Sequence, residues 1–137
     1  MGLILDSSVL IAAERKSQTV TQLLKQIRDL TSDQETAISA VALVELAHGI
    51  HRANTPETRT RRESFILELL ADVPVYPFTP PIALLAGKID GEQQSRGVKV
   101  PFPDLLIGAT ALHLGYAVVT GNPRDFERIP GLEVKQL

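Results

Sequence analysis

The sequence predicts an α/β domain of three layers, with a central, mainly parallel sheet between helices. Three observations carry that expectation. Short apolar runs of strand length, such as 3–5 and 116–120, alternate with longer stretches of helical period, an order that calls for parallel pairing and crossover helices. The 137 residues are 44% hydrophobic and 22% charged, the composition of an ordered domain with a real core. No internal repeat, low-complexity tract or linker divides residues 1–137, which read as a single domain.

The first strand, residues 3–5, ends in Asp6, Ser7 and Ser8, three residues suited to cap a helix. A helix begins over 9–13, and Val20, Leu23, Leu24, Ile27 and Leu30 form the apolar stripe of a second. Thr31, Ser32, Asp33 and Gln34 read as a loop. Ala37 and Ile38 are a minimal second strand, and Ser39 caps the helix that carries Glu45. Gly49 should limit or loosen that helix near its end. Pro56 suits the first position of the next helix, basic in its first half (Arg59, Arg61, Arg62) and apolar in its second. Residues 73–78 read as a Pro-interrupted strand, and Thr79, Pro80 and Pro81 open a helix through Leu84, Leu85 and Ile89. Residues 99–103 read as a loop, 105–114 as a mostly apolar helix, and Gly115 as its C′ residue. A β-branched strand over 116–120, a turn over 121–123 and an edge strand at Val134 complete the chain.

Composition excludes several functions. Aromatic residues are 4% of the chain and Trp is absent, which leaves little for a base-stacking platform. Without cysteine there is no disulfide, thiol nucleophile, thiolate zinc site or iron–sulfur cluster, and a reducing cytoplasm is the expected location. Residues 1–6 have no basic start and an apolar run of only three, so they read as neither a signal peptide nor a membrane span. Asp6 stands where a myristoylation motif wants Ser or Thr. A net charge of −2 argues against a broad phosphate-gripping surface, so nucleic acid must be held by a local patch or through cations. No P-loop, Gly-x-Gly-x-x-Gly or Gly-x-Ser-x-Gly motif occurs.

The acids carry the chemistry. Glu45 interrupts the apolar run 40–47, with Val41, Ala42, His48 and Gly49 as its neighbours one helical turn away. Burying a lone carboxylate costs several kcal/mol, so either Glu45 faces water or an Arg or metal ion outside its helix compensates it. Ligands of open α/β sheets collect beyond the carboxyl ends of the strands. Asp6 follows the first strand, Asn122 and Asp125 follow the strand ending at Thr120, and Asp104 opens the helix feeding that strand. Each has an ordinary reading: a helix cap for Asp6, a first-turn anion for Asp104, a turn residue or partner of Arg124 or Arg128 for Asp125. Together they repel one another and require a cation. Oxygen donors without cysteine favour Mg²⁺ or Mn²⁺, ions suited to phosphoryl chemistry. Arg52, Arg59, Arg61 and Arg62 are the local basic density, read as a solvated helix face or as phosphate contacts. His48 lies one turn after Glu45, whereas His51 and His113 have no partner at metal-ligand spacing.

Four segments, 3–11, 39–50, 103–111 and 119–132, resemble PIN-domain proteins in order and spacing, above all the VapC toxins of bacterial type II toxin–antitoxin systems. The resemblance implies a PIN-like α/β/α fold and a Mg²⁺-dependent endoribonuclease, Mn²⁺ being a substitute, that hydrolyses RNA phosphodiester bonds with metal-activated water. By the family pattern Asp6, Glu45 and Asp104 are catalytic and metal-binding. Where the family often has a fourth acid this chain has Asn122, so Asp125 is taken for that role, with Asn122 and Thr120 as polar support. Ser8 is expected to orient Asp6 or a water. The resemblance also implies an RNA substrate, a VapB-type antitoxin that blocks the acidic cleft, a homodimer and larger antitoxin complexes, and no membrane partner. A receiver- or phosphatase-like domain is disfavoured, because Asp6 has no second acid beside it. The remaining alternative is a catalytically silent PIN-like interaction module, against which the retained acids argue.

Overall fold

Apolar strands too short to hide their own backbones are the starting point. The computed structural model describes residues 1–32 and 34–137. In it β1 (Gly2–Leu5) pairs in parallel with β2 (Glu35–Ser39) on one side and β4 (Ala117–Thr120) on the other. Two edge strands, β3 (Val75–Tyr76) and β5 (Val134–Gln136), complete the order β3-β2-β1-β4-β5 with every pairing parallel. All four residues of β1 and all four of β4 are buried. Strands buried on both faces need helices on both faces, and the expected three layers follow.

The helices fall largely where periodicity puts them. They are α1 (Ser7–Arg15), α2 (Val20–Thr31), α3 (Ala40–His51), α4 (Pro56–Asp72), α5 (Pro80–Ser95), α6 (Phe102–Leu114) and α7 (Pro123–Phe126). Thr19 caps α2 reciprocally with Gln22, and Ser39 accepts from the Val41 N–H to cap α3. Pro56 opens α4, and Gly115 ends α6 in the left-handed conformation (φ 71°). Among the described residues no helix is long and apolar enough to cross a membrane.

Several boundaries differ from expectation. The strand read over 73–78 shrinks to two residues because Pro74 and Pro77 flank it without donors and Val73 closes α4. The loop read over 99–103 is shorter: Phe102 and Pro103 already belong to α6, since the first turn of a helix needs no donor from Pro. Pro123 likewise starts α7 where only a turn was read. Gly49 does not end α3, which runs on to His51. Leu30 is exposed, so the apolar stripe of α2 is shorter than its sequence suggests. Within the loop read over 31–34, Thr31 closes α2 and Asp33 lies outside the described residues.

The strand order reverses about β1. Strands β2 and β3 are laid down on one side and β4 and β5 on the other, so the switch point lies between β1 and β4. Gly108 lets α6 settle against the segment after β4, since a Cβ there would meet Ile129, with Leu132 and Phe126 close behind. Because α6 carries Asp104 and α7 carries Asp125, this contact sets how the two acids approach. Replacing Gly108 with Val should cost on the order of 1–3 kcal/mol through overpacking, measured by urea denaturation; an unchanged midpoint would mean that the approach is not tight.

Candidate active site

Asp6 continues β1 past its last strand residue, its N–H still bonded to the Val119 carbonyl at 2.9 Å. It occupies the N-cap position of α1, yet its side chain makes no capping bond. The ordinary reading of Asp6 therefore fails. Its Oδ2 accepts from Ser8 Oγ at 2.7 Å and from Thr120 Oγ1 at 2.9 Å. Those hydroxyls accept in turn from the N–H groups of Gly121 (3.0 Å) and Asn122 (3.0 Å). Each hydroxyl has one proton, and both are spent on Asp6. Ser8 and Thr120, expected as support for the site, thus both contact Asp6, which is 4% exposed.

Glu45 is half-buried on α3, and its side-chain partner among the described residues is a hydroxyl rather than a Lys, Arg or His. Ser7 Oγ donates to Glu45 Oε1 at 2.9 Å, closer than to Asp6 Oδ1 at 3.5 Å. Burial nevertheless raises the Glu45 carboxyl above the ordinary carboxylate range, with the Ser7 bond opposing and the Asp6 charge adding to the rise. No described Lys, Arg or His lies within ion-pairing distance of it. Ser7 is the residue that sequence reasoning used only as a helix cap; nothing in its local pattern shows that α3 packs on α1.

Asp104 sits in the first turn of α6. Its carboxyl is pushed up to about 6, first by burial and then by the charges of Asp6, Asp125 and Glu45. The four expected acids therefore share one electrostatic field. A depression of about 440 Å³ at the switch point is walled by Asp6, Ser8, Asp104, Asn122, Asp125 and Phe126, with Ser7, Ile11 and Arg124 alongside. Asp125 pairs with Arg128 at 3.6 Å, the sequence alternative that Arg124 does not fulfil.

The donor set fits a hard divalent ion: carboxylates, hydroxyls and the Asn122 amide supply oxygen, and neighbouring carboxylates raise Asp104. Among the described residues no three acidic or histidine side chains already stand as a formed chelate. Mg²⁺ retains several waters and takes few carboxylates directly, so a field of acids around a depression of this size suits it.

The basic residues divide. Arg52 and Arg62 line a second hollow, of about 330 Å³, that reaches Glu45 between α1, α3 and α4. Arg61 instead points its Nε at buried Glu14 (3.0 Å), and Arg59 lines neither hollow. His48 lines the Glu45 hollow, while His51 and His113 line neither.

A raised carboxyl makes a pH statement. Asp104 binds its proton more tightly in the fold than in the unfolded chain, so its contribution to stability is full below about 4 and is lost as pH rises through about 6. Without divalent ions, Asp104→Asn should raise the melting temperature at pH 7.5 by roughly 3 °C, and the gain should vanish near pH 4. A variant less stable than the parent at pH 7.5 would contradict the repulsion.

The PIN domain profile matches residues 3–132. Ribonuclease VapC1 of Rickettsia felis is 32% identical over 134 residues, which cover 98% of this chain and 95% of the relative. A tRNA(fMet)-specific endonuclease VapC of Salmonella typhimurium is 32% identical over 98 residues, 72% of each chain. Among solved structures, a chain of VapBC2 from Rickettsia felis, bound to a DNA fragment from their promoter, superposes with a TM-score of 0.86 at 23% identity, covering 100% of this chain and 99% of that one. A chain of VapBC-5 from Mycobacterium tuberculosis gives 0.78 at 26% identity and covers 100% of both. With a profile match over nearly its full length and a relative 32% identical across it, this chain belongs to the PIN-domain family, in the company of the VapC proteins.

Proposed function

We propose that this protein is a divalent-metal-dependent endoribonuclease, the toxin of a VapBC-type pair, with Asp6, Glu45 and Asp104 as its central acids and Asp125 as the fourth. One observation carries the reading: at the switch point Asp104 is driven up to about 6 by burial and by three neighbouring carboxylates, with no described cation paired to it. A binding scaffold gains nothing from such repulsion, whereas a site awaiting Mg²⁺ or Mn²⁺ does. Relatives named as ribonucleases and as a tRNA(fMet)-specific endonuclease support RNA as the substrate class. Neighbours solved as VapBC complexes support a VapB-type partner.

Asp6, Glu45, Asp104 and Asp125 would hold the ion, Asp6 being fixed by Ser8 and Thr120 and Glu45 by Ser7. A bound divalent ion supplies neutralising charge at the phosphodiester and a more acidic water. The chain itself supplies orientation. Asp6 cannot turn without giving up two hydroxyl donors, and Glu45 cannot turn without giving up one. Ile11 and Phe126 contribute apolar wall to the depression. Asn122 brings a neutral amide to the same wall.

Asp6→Asn, Glu45→Gln and Asp104→Asn should each reduce Mg²⁺-dependent cleavage of total RNA by about 10² or more while the far-ultraviolet circular dichroism is unchanged. Ser7→Ala should lower the rate by about tenfold, since one charge-assisted bond is lost. Undiminished cleavage by Asp6→Asn would sink the site assignment; absence of cleavage by the parent protein with Mg²⁺ and Mn²⁺ would return the chain to a silent interaction module.

A further inference from the structure

Two sets of cations, carried by different elements, border the acidic depression. On one side the hollow that reaches Glu45 is lined by Arg15, Arg52 and Arg62. On the other, Arg124 of α7 lines the depression itself, next to Asp125. Ile11 lines both hollows, so they share a wall and lie side by side.

These cations are not equivalent. Arg61 and Arg62 are committed to the fold: both approach Glu14, which is 6% exposed, at 3.0 and 3.7 Å, and Arg62 also donates to the Gly49 carbonyl. They clamp α4 to α1 and to the end of α3. Arg15, Arg52 and Arg124 are exposed, and their side chains ion-pair with no described residue. Arg124 leaves even adjacent Asp125 to Arg128. Along the surface the charge therefore runs positive, negative, positive, with free guanidinium groups at both ends.

Resting on the ribonuclease reading, we infer that Arg15 and Arg52 on one lip and Arg124 on the other grip successive phosphates of one RNA strand, whose backbone crosses the acidic centre between them. Guanidinium groups make paired, charge-assisted bonds to phosphate. The middle of the track would tolerate a phosphodiester because a divalent ion held by the carboxylates would offset the charge there. A run of carboxylates on an acidic peptide would gain from the lips but not from the centre. Arg61, in the midst of the basic run Arg59, Arg61 and Arg62, is assigned to the fold instead.

The test is equilibrium binding of labelled single-stranded RNA oligomers of mixed sequence, followed by fluorescence anisotropy with Ca²⁺ replacing Mg²⁺ so that the strand stays intact. Arg52→Ala and Arg124→Ala should each weaken binding about tenfold and reduce the slope of log affinity against log salt by about 0.7, the share of one single-strand phosphate. Arg28→Ala, an exposed arginine of α2 outside both hollows, should change neither. In a length series the parent protein should show a step in affinity where the strand first meets both lips, and each variant should lose it. RNA bound by both variants with the parent's affinity and slope would overturn the track and leave the nuclease reading standing. A parent protein that binds no RNA would overturn both. An Asp/Glu-rich peptide bound more tightly than RNA, without need of Ca²⁺ and through Arg52 and Arg124, would reassign the lips to a protein partner and overturn the proposal.

Discussion

Four carboxylates share the carboxyl rim of one small sheet, and their mutual repulsion is the constraint around which the local structure is arranged. Three of them are offset, each differently. Asp6 takes two hydroxyl donors, Glu45 takes one, and Asp125 has Arg128 nearby. Asp104 has no such described partner, and it is there that the carboxyl rises to about 6. Hydrogen bonds to a charged group contribute about 1.5–3 kcal/mol each, and two of them fix the Asp6 carboxylate in a place almost closed to solvent. They do nothing for Asp104. The site is thus rigid where the sheet meets it and electrostatically unsatisfied one helix away.

This arrangement follows from topology more than from any local motif. Reversal of the strand order about β1 brings the end of β1 beside the end of β4, which is why Thr120 reaches Asp6 across 114 positions of sequence. Close packing at Gly108 brings α6 toward the segment after β4, and α3 packing on α1 brings Glu45 to Ser7. Two of these contacts meet at the switch-point depression, and the third sets Glu45 in the adjoining hollow, tied to the depression through Ser7.

Much of this was legible in the sequence. The alternation of short apolar runs with helical stripes gives the parallel sheet, and Glu45 announces itself as a carboxylate with no local partner. What pattern does not carry is direction. Ser7 and Ser8 are adjacent and chemically alike, yet successive positions entering α1 send one hydroxyl to Glu45 and the other to Asp6. The arginines of α4 look equivalent in the sequence, but Arg61 and Arg62 are drawn to Glu14, a buried acid that reads as an ordinary residue of α1. Arg124 looks like the partner of Asp125 and is not, because the pairing goes one helical turn onward to Arg128. Boundaries at proline also misled: Pro103 and Pro123 lie in the first turns of helices where their neighbours suggested loop or turn.

The central claim is that a shared divalent ion supplies what the chain withholds from these acids. Calorimetric titration of Mn²⁺ into the metal-free protein at pH 7.5 tests it most directly. Saturable uptake at or below millimolar Mn²⁺ is expected, weakened about tenfold or more by Asp6→Asn, Glu45→Gln and Asp104→Asn alike. A parent protein that takes up no Mn²⁺, or one whose uptake survives all three substitutions unchanged, would contradict it.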